Sequence, residues 1–174
     1  MADEKPGNDT AAIDNLAASE GANAGQRIAI TKIYIKDMSF ESPQTPNIFR
    51  GGEWKPQTNL NLRSSHTAME NDHHEVVLTI TIEAKAEDKT LFLCELAQAG
   101  IFEIAGYEQE EFNAITGSFC PNILFPYARE AIAGAIQKGG FPEFVLQPIN
   151  FDAVYMQSRQ QAAQQATGEK PETH

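Results

Sequence analysis

The sequence has little of what defines several protein classes. Its two cysteines, Cys94 and Cys120, form neither a CxxC pair nor a disulfide framework. Lys and Arg number 13 against 24 Asp and Glu, so the net charge of −11 argues against nucleic acid or an anionic membrane surface as the main partner. No apolar run approaches the roughly 18 residues that a membrane span requires. The first residues have no signal-peptide character, so we expect a cytoplasmic protein without direct membrane insertion.

Motifs for catalysis and cofactor binding are also missing. There is no GxxxxGK[ST] and no GxGxxG sequence, and the adjacent His73 and His74 lead into a strand, where neighbours point to opposite faces. We therefore expect no cofactor and no metal. The alternative is a small hydrolase or transferase that uses Cys120, at a predicted helix start, with His73 or with His66 in a polar loop. A buried structural cysteine is the simpler interpretation, so we expect no enzymatic activity.

Composition divides the chain into a globular unit with two tails. Residues 1–26 are rich in Ala, Asn, Gly and acidic residues and contain few large aliphatic side chains, so we expect a disordered arm. Residues 27–157 are long enough to bury one core. Residues 158–174 are expected to form a flexible Gln-rich tail, whose first part is compatible with a continued helix.

Period-2 alternation predicts four strands in the first part of the globular unit. Val76–Ala84 alternates over its whole length, and Leu91–Gln98 follows it after a polar turn, so the two should form an antiparallel hairpin. Asn59–Arg63 is a shorter strand with two leucines on one face. In the long segment Ile28–Glu41 the apolar residues change parity near Lys36, which predicts a bulge or a two-sided environment there.

Helical periodicity follows the strands. Gln109–Thr116 fits a short helix, and a longer one begins near Pro121, which a first helical turn tolerates. Gly139 and the residue after it end that helix. Asp152 is predicted to cap a last amphipathic helix. Strands followed by helices indicate an α+β fold.

The sequence offers more apolar surface than one small domain hides easily. Both faces of Leu91–Gln98 are partly apolar, so one face should meet the long helix and the other a partner or ligand. The long helix carries a small-residue stripe that permits close helix–helix approach. The stripe consists of Ala128, Ala131, Gly134 and Ala135. We expect a homo-oligomer; the alternative is a helix that lies wholly on its own sheet.

Acidic residues form a second pattern. Asp37, Ser39 and Glu41 share one face of the first strand, and Glu95 shares a face with the apolar side chain of Leu93 in the fourth. Such a pattern is usually a solvated face. A flat acidic and apolar surface of this kind would also suit a basic protein partner.

Four segments together resemble one family. They are Tyr34–Pro43, Phe92–Glu95, Cys120–Glu130 and Pro148–Ala153, in this order and with matching spacing. The stretch CPNILFPYARE is the most specific of them. The sequence resembles the SecB protein-export chaperones over residues 27–157.

The resemblance implies a fold, an assembly and a function. Members of that family have a four-stranded antiparallel sheet followed by two helices, and they assemble as a dimer of dimers. They bind unfolded precursor proteins in the cytoplasm without ATP, and they pass these clients to the motor SecA for export through the Sec translocon. The family has no enzymatic activity and no cofactor.

The resemblance also assigns residues to two surfaces. The acidic sheet face corresponds to the family's SecA-binding surface. That surface comprises Asp37, Glu41, Leu93 and Glu95. Client-peptide binding falls on apolar positions of the crossover loop, the sheet side and the last helix. These positions are Trp54, Leu60, Leu62, Phe144 and Tyr155.

The sequence departs from the family at both ends. Its first 26 residues look like an extension peculiar to this chain, and the tail after Gln160 is only weakly similar to the basic tail with which some relatives contact SecA. A second alternative stays within chaperones. It is a SecB-like protein dedicated to a single client, such as an antitoxin, and the breadth of its clients would separate it from a general export chaperone.

Overall fold

The computed structural model describes residues 25–50, 55–86 and 89–168. Its centre is one four-stranded antiparallel sheet with the strand order β1-β4-β3-β2. The strands are β1 Arg27–Glu41, β2 Gln57–Ala68, β3 His73–Ala86 and β4 Lys89–Ala105. The predicted hairpin is confirmed, because β3 and β4 pair along their lengths. The predicted α+β class is confirmed as well, with three helices after the sheet.

The bulge predicted near Lys36 is present in β1. Ile35 pairs with Gln98 and Asp37 pairs with Ala97, so Lys36 between them has no partner in β4. A second register shift lies between Ile30 and Lys32. Each extra residue reverses the alternation of side chains. The apolar residues of β1 therefore stay on one face although their parity changes twice along the strand.

A tight turn joins β2 to β3. Asn71 and Asp72 both have a φ of 56°, a conformation that these two residue types tolerate better than most. The amide of Met69 donates to the carbonyl of His73 at 2.8 Å and closes the hairpin. The short strand predicted over Asn59–Arg63 is thus part of the longer strand β2, which lies at the edge of the sheet.

The core lies between one face of the sheet and the long helical segment. Alternate residues of β3 and β4 on this face are inaccessible to solvent, and the helix supplies the facing layer. The largest fully buried side chains are Phe92, Phe102, Leu78, Ile80, Ile82, Leu96, Leu124, Ile132 and Ile136. Burial of such side chains drives folding by about 1.5–3 kcal/mol each, so this face is fixed against the helix. The opposite face of the sheet is the outer face.

The long helical segment is continuous. Helix α1, Gln109–Ala114, passes through a π-helical turn, Ile115–Phe119, into helix α2, Cys120–Lys138. Both predicted helices are therefore present, and the π turn, which the sequence did not predict, joins them without a break just before Pro121. The predicted end was right. Gly139 is the C-cap of α2, and Gly140 has a φ of +83°.

The last helix, α3, comprises Phe151–Gly168 and continues past Ser158. Its cap differs from the prediction. The side-chain oxygen Oδ1 of Asn150 accepts a hydrogen bond from the amide of Ala153 at 3.0 Å, which is the geometry of an N-cap. Asp152 lies in the first turn instead and accepts a 2.5 Å hydrogen bond from the hydroxyl of Ser118 in the π turn. That bond ties the start of α3 to the long helical segment.

Candidate functional site

The outer face of the sheet carries the acidic surface predicted from the sequence. Ser39 pairs with Glu95 and Glu41 pairs with Leu93 across β1 and β4, so these residues share one face with Asp37, which pairs with Ala97. The structure thus brings together all four residues that the resemblance assigns to SecA binding. Asp37 and Glu41 are exposed, whereas Leu93 and Glu95 are half-buried between neighbouring strands.

Strand β3 extends the acidic face. Thr81 donates a 2.9 Å hydrogen bond to Glu95, which orients that carboxylate toward β3. Glu83, opposite Leu93, forms a 2.9 Å ion pair with Lys85 and accepts a bond from Thr90. Its bond with Lys85 lowers the pKa of Glu83, so it stays ionised. Sequence reasoning missed Glu83, although the alternation of Val76–Ala84 already placed it on the outer face.

A partly apolar groove, the edge groove, opens where β2, the edge strand of the described sheet, meets α3. It has a volume of about 440 Å³ and lies between β2, the π turn and the first turns of α3. Its apolar lining residues are Leu62, Phe151, Val154 and Tyr155, and its polar ones are Arg63, Ser64, Ser65, His66, Thr116 and Ser158. Two residues expected in client binding, Leu62 and Tyr155, therefore meet here. Sequence reasoning missed Phe151 and Val154, although both lie within one helical turn of Tyr155.

The other expected client-binding residues are more scattered. Leu60 lies on the same face of β2 as Leu62 and is 48% exposed, but it is not part of the groove wall. Phe144 lies in the connection between α2 and α3, half-buried against the core. Trp54 lies outside the described residues. The structure therefore brings Leu62 and Tyr155 together and does not bring Phe144 into this groove.

The position of Tyr155 depends on a glycine in the π turn. A Cβ atom at Gly117 would lie 2.5 Å from Cδ2 of Tyr155, closer than any real contact. The absence of a side chain there lets the phenol ring rest on the π turn. The guanidinium of Arg159 lies 6.0 Å from the ring centroid, and Arg159 forms a 3.2 Å ion pair with Glu110 of α1. These contacts hold the ring at the groove wall.

A histidine cluster lies at the end of the groove. The rings of His66 and His74 are 5.9 Å apart, and both pack on Phe112 of α1 at 5.4 and 4.7 Å. Burial, followed by the nearby His66, lowers the pKa of His74. The prediction that His66 lies in a polar loop was wrong, because it pairs with Val76 inside β2. The edge strand extends further than its leucine pattern indicated.

The geometry gives no support to the enzyme alternative. Cys120 is fully buried, and burial raises its pKa to about 12, so its thiol is not a ready nucleophile. It also lies inside the continuous helical segment, without free helix N-terminal amides. His73 is engaged with the carbonyl of Asn71 at 2.7 Å. Within residues 25–50, 55–86 and 89–168 no group of three His, Cys, Asp or Glu side chains could hold a metal ion.

A second apolar groove runs between β1 and α2, with a volume of about 530 Å³. Ile35, 50% exposed, and Met38, 36% exposed, form its sheet side. Three of the four small residues predicted as a stripe form its helix side: Ala131, Gly134 and Ala135. The fourth, Ala128, is buried against the sheet. The stripe therefore divides between the core and an open surface.

Comparison with known proteins gives consistent results. The family model described as preprotein translocase subunit SecB matches residues 21–162. The protein-export protein SecB of Alkalilimnicola ehrlichii is 47% identical over 171 residues, which cover 98% of this chain and 88% of that protein. SecB of Nitrosococcus oceani is 50% identical over 148 residues, which cover 84% of this chain and 90% of that protein.

A solved structure shares the fold. It is a SecB-like chaperone of Mycobacterium tuberculosis in complex with a peptide from an antitoxin. The TM-score is 0.59 at 16% identity, and the match covers 71% of this chain and 91% of that chain. In the part of the chain described here, no helix is long and apolar enough to cross a membrane.

Proposed function

The chain belongs to the SecB family of protein-export chaperones, and we propose that it holds unfolded precursor proteins at the edge groove and delivers them to the motor SecA through the acidic outer face. The export function follows from the family. The observation that supports separate binding of client and motor is that the groove and the acidic surface lie on different faces of the sheet. The groove at β2 and α3 opens on the helix side of the sheet, whereas Asp37 and Glu95 lie on its outer face.

The groove suits an extended and unselective client. Its wall combines aliphatic and aromatic side chains, which give contact area without requiring a particular sequence, with hydroxyl groups that can bond to a peptide backbone. Beside it, the outer edge of β2 pairs with no strand within the described part of the chain. A free edge offers backbone hydrogen bonds to an extended peptide. Several such grooves in an oligomer would bind a long client by avidity although each single contact exchanges quickly.

The acidic face suits a basic surface on the motor. Asp37 and Glu41 take part in no ion pair among the described residues, and the flat strand surface around Leu93 adds apolar contact. Complementary charge speeds encounter and selects the partner, and its effect weakens as salt screens it. We infer that the association with SecA weakens as ionic strength rises, whereas client binding at the edge groove, which has one charged residue in its lining, is less sensitive.

We also infer the family's dimer of dimers for this chain, with cytoplasmic location. The groove between β1 and α2 leaves Ile35 and Met38 exposed on an edge strand next to small helix residues. This combination permits both sheet extension and close helix approach. The chain belongs to a family of chaperones, not of enzymes. With no nucleotide motif in the sequence, we infer that the motor releases the client by competition.

The experiment measures both client affinity and SecA affinity for each of two double variants. Leu62→Ser with Tyr155→Ser removes apolar groove surface and should weaken binding of an unfolded precursor by about tenfold or more, since each buried side chain contributes on the order of 1.5–3 kcal/mol. Asp37→Lys with Glu95→Lys should weaken SecA binding by about tenfold or more at low salt, because two attractive charges become repulsive. Each variant should leave the other affinity within about twofold. Both affinities are measured by calorimetry.

Matched controls exist for both arms. Met156→Ser removes a 59% exposed methionine next to Tyr155 that does not line the groove. Glu70→Lys with Glu143→Lys changes the net charge as much as the acidic-face variant does, at exposed loop positions. Both controls should bind as the native chain does. Unchanged client affinity in the groove variant would refute the groove assignment, and unchanged SecA affinity in the charge variant would refute the acidic-face assignment.

A further inference from the structure

The core contains a buried glutamine that the packing alone does not explain. Gln98 is 2% exposed and lies on the helix side of β4, between Leu96 and Gly100 on the same face. A buried amide is costly unless it forms hydrogen bonds. The Nε2 atom of Gln98 donates to the main-chain carbonyl of Tyr34 in β1 at 2.8 Å. Gln98 pairs with Ile35, the last residue before the bulge.

On the outer face of the sheet, two side-chain hydrogen bonds stabilise the same part of β1. The hydroxyl of Tyr34 donates to Oε1 of Glu75, and Nζ of Lys36, the bulged residue, donates to Oε2 at 2.6 Å. Glu75 belongs to β3, so both bonds cross over β4, where the small side chain of Ala99 lies opposite Tyr34. The bonds to Lys36 and Tyr34 lower the pKa of Glu75, which keeps the carboxylate ionised.

The bulge decides which face the acidic residues occupy. Before it, Ile33 and Ile35 face the helices; after it, Met38 and Phe40 do so. Phe40 stacks on Phe92 with a centroid distance of 5.8 Å. If β1 continued with regular alternation through Lys36, without the reversal that the bulge causes, the odd-numbered side chains after Lys36 would point toward the helices. Asp37 and Glu41 would then leave the outer face.

We propose that Gln98 and Glu75 are positioning residues for the acidic face: they clamp the Lys36 bulge from opposite sides of the sheet and thereby fix Asp37 and Glu41 on the side that binds SecA. This inference rests on the proposed function of that face. Gln98 lies on the helix side of the sheet, away from the outer face, and the carboxylate of Glu75 is occupied by its bonds to Tyr34 and Lys36.

The first test measures, without SecA, which face of the sheet the side chains at positions 38 and 39 occupy. Single cysteines are placed at Met38 and at Ser39, in the native background and with Gln98→Leu, and their labelling rates are compared. Cys94 and Cys120 are fully buried, so they contribute little background. With the clamp intact, position 39 should label faster than position 38. Gln98→Leu should lower that ratio by about threefold or more, since loss of a buried hydrogen bond shifts such equilibria by this order.

The second test uses deletion of the bulged residue. Without Lys36, Ile35 is followed directly by Asp37, so regular alternation puts Asp37 on the outer face with no bulge. Gln98→Leu should weaken SecA binding about tenfold in the full-length chain and less than about twofold in the deletion background. Lys36→Ala, which keeps the extra residue, separates the loss of the ion pair from the loss of the bulge. Client affinity serves as the reference throughout and should change less than about twofold.

The outcomes separate the clamp from the function of the face. A lowered labelling ratio with unchanged SecA affinity supports the clamp and refutes SecA binding at this face. An unchanged ratio refutes the clamp whatever the motor does. Equal losses of SecA affinity in the full-length and deletion backgrounds also overturn it, because they indicate general destabilisation. If Gln98→Leu does not fold, Glu75→Gln tests the outer half of the clamp by the same two readouts.

Discussion

His74 couples the ionisation of one side chain to the packing of α1 on the sheet. Its ring lies 4.7 Å from that of Phe112, and its buried Nδ1 atom has no hydrogen-bond partner among the residues that the structure describes. Protonation would place a charge beside His66 in a poorly solvated site. Burial and that neighbour therefore keep the pKa of His74 below its ordinary 6.5.

The sign of the resulting pH dependence follows from linkage. Because the folded state binds the proton of His74 less well than the unfolded state does, the stabilisation is complete above pH 6.5 and is lost as the pH falls through the folded pKa. We expect the free energy of unfolding in urea to fall between about pH 7 and pH 5, and His74→Leu to flatten this decline. His73→Leu, the neighbour on the opposite face, should retain it. An equally steep decline in His74→Leu would contradict the assignment.

Acid effects from Glu75 fall in a separate window. Its folded pKa is lowered from 4.5 by Lys36 and Tyr34, so its contribution is present above pH 4.5 and is lost only below that. The titration of His74 can therefore be measured without interference from the bulge.

At the scale of elements, the π turn and α3 together shape the groove. Gly117 faces the ring of Tyr155. The next residue of the turn, Ser118, donates a hydrogen bond to Asp152 and thereby fixes the start of α3. A regular α-helix through residues 115–119 would rotate these side chains relative to α3. The turn thus sets the distance between the helix and the groove wall.

Gly117→Ala should separate stability from function. Alanine favours helical backbone by about 1 kcal/mol over glycine, yet its methyl group would displace the ring of Tyr155, which a Cβ atom would approach to 2.5 Å. We expect client affinity to fall about three- to tenfold while SecA affinity is unchanged. In a Tyr155→Ala background the same substitution should have no further effect on client binding. A further loss there would show that Gly117 acts in another way.

Sequence patterns predicted those elements whose residues repeat with one period. The hairpin, the bulge near Lys36 and the glycine end of α2 followed from alternation and turn chemistry alone. The π turn did not, because Pro121 resembles a helix start when the hydrogen bonds before it are unknown. Asn150 and Asp152 are both good caps, and only the bond to Ser118 decides between them. The groove required tertiary information: Leu62 and Tyr155 are far apart in sequence, and they line one groove only because α3 docks beside β2.

On the scale of the whole molecule, charge and apolar surface have to coexist. The net charge of −11 repels one copy from another, whereas the groove between β1 and α2 leaves large apolar side chains exposed. An ordered contact through that groove would bury them and leave the acidic outer face and the edge groove at β2 accessible. Self-association in this arrangement would support solubility and function together, because the surfaces are distinct.

Ala131→Glu tests that arrangement. Ala131 is half-buried on the small-residue side of the groove, and a carboxylate there would be desolvated without a partner on association, at a cost of several kcal/mol. We expect native mass spectrometry to show a smaller assembly at micromolar concentration, with the circular dichroism of the fold retained. Gln137→Glu adds the same charge to α2 at an exposed position outside the groove and should keep the native mass. An unchanged mass for Ala131→Glu would place the interface between copies elsewhere.

If the mass falls, avidity requires long precursors to bind more weakly while the affinity for a peptide that fills one groove is unchanged.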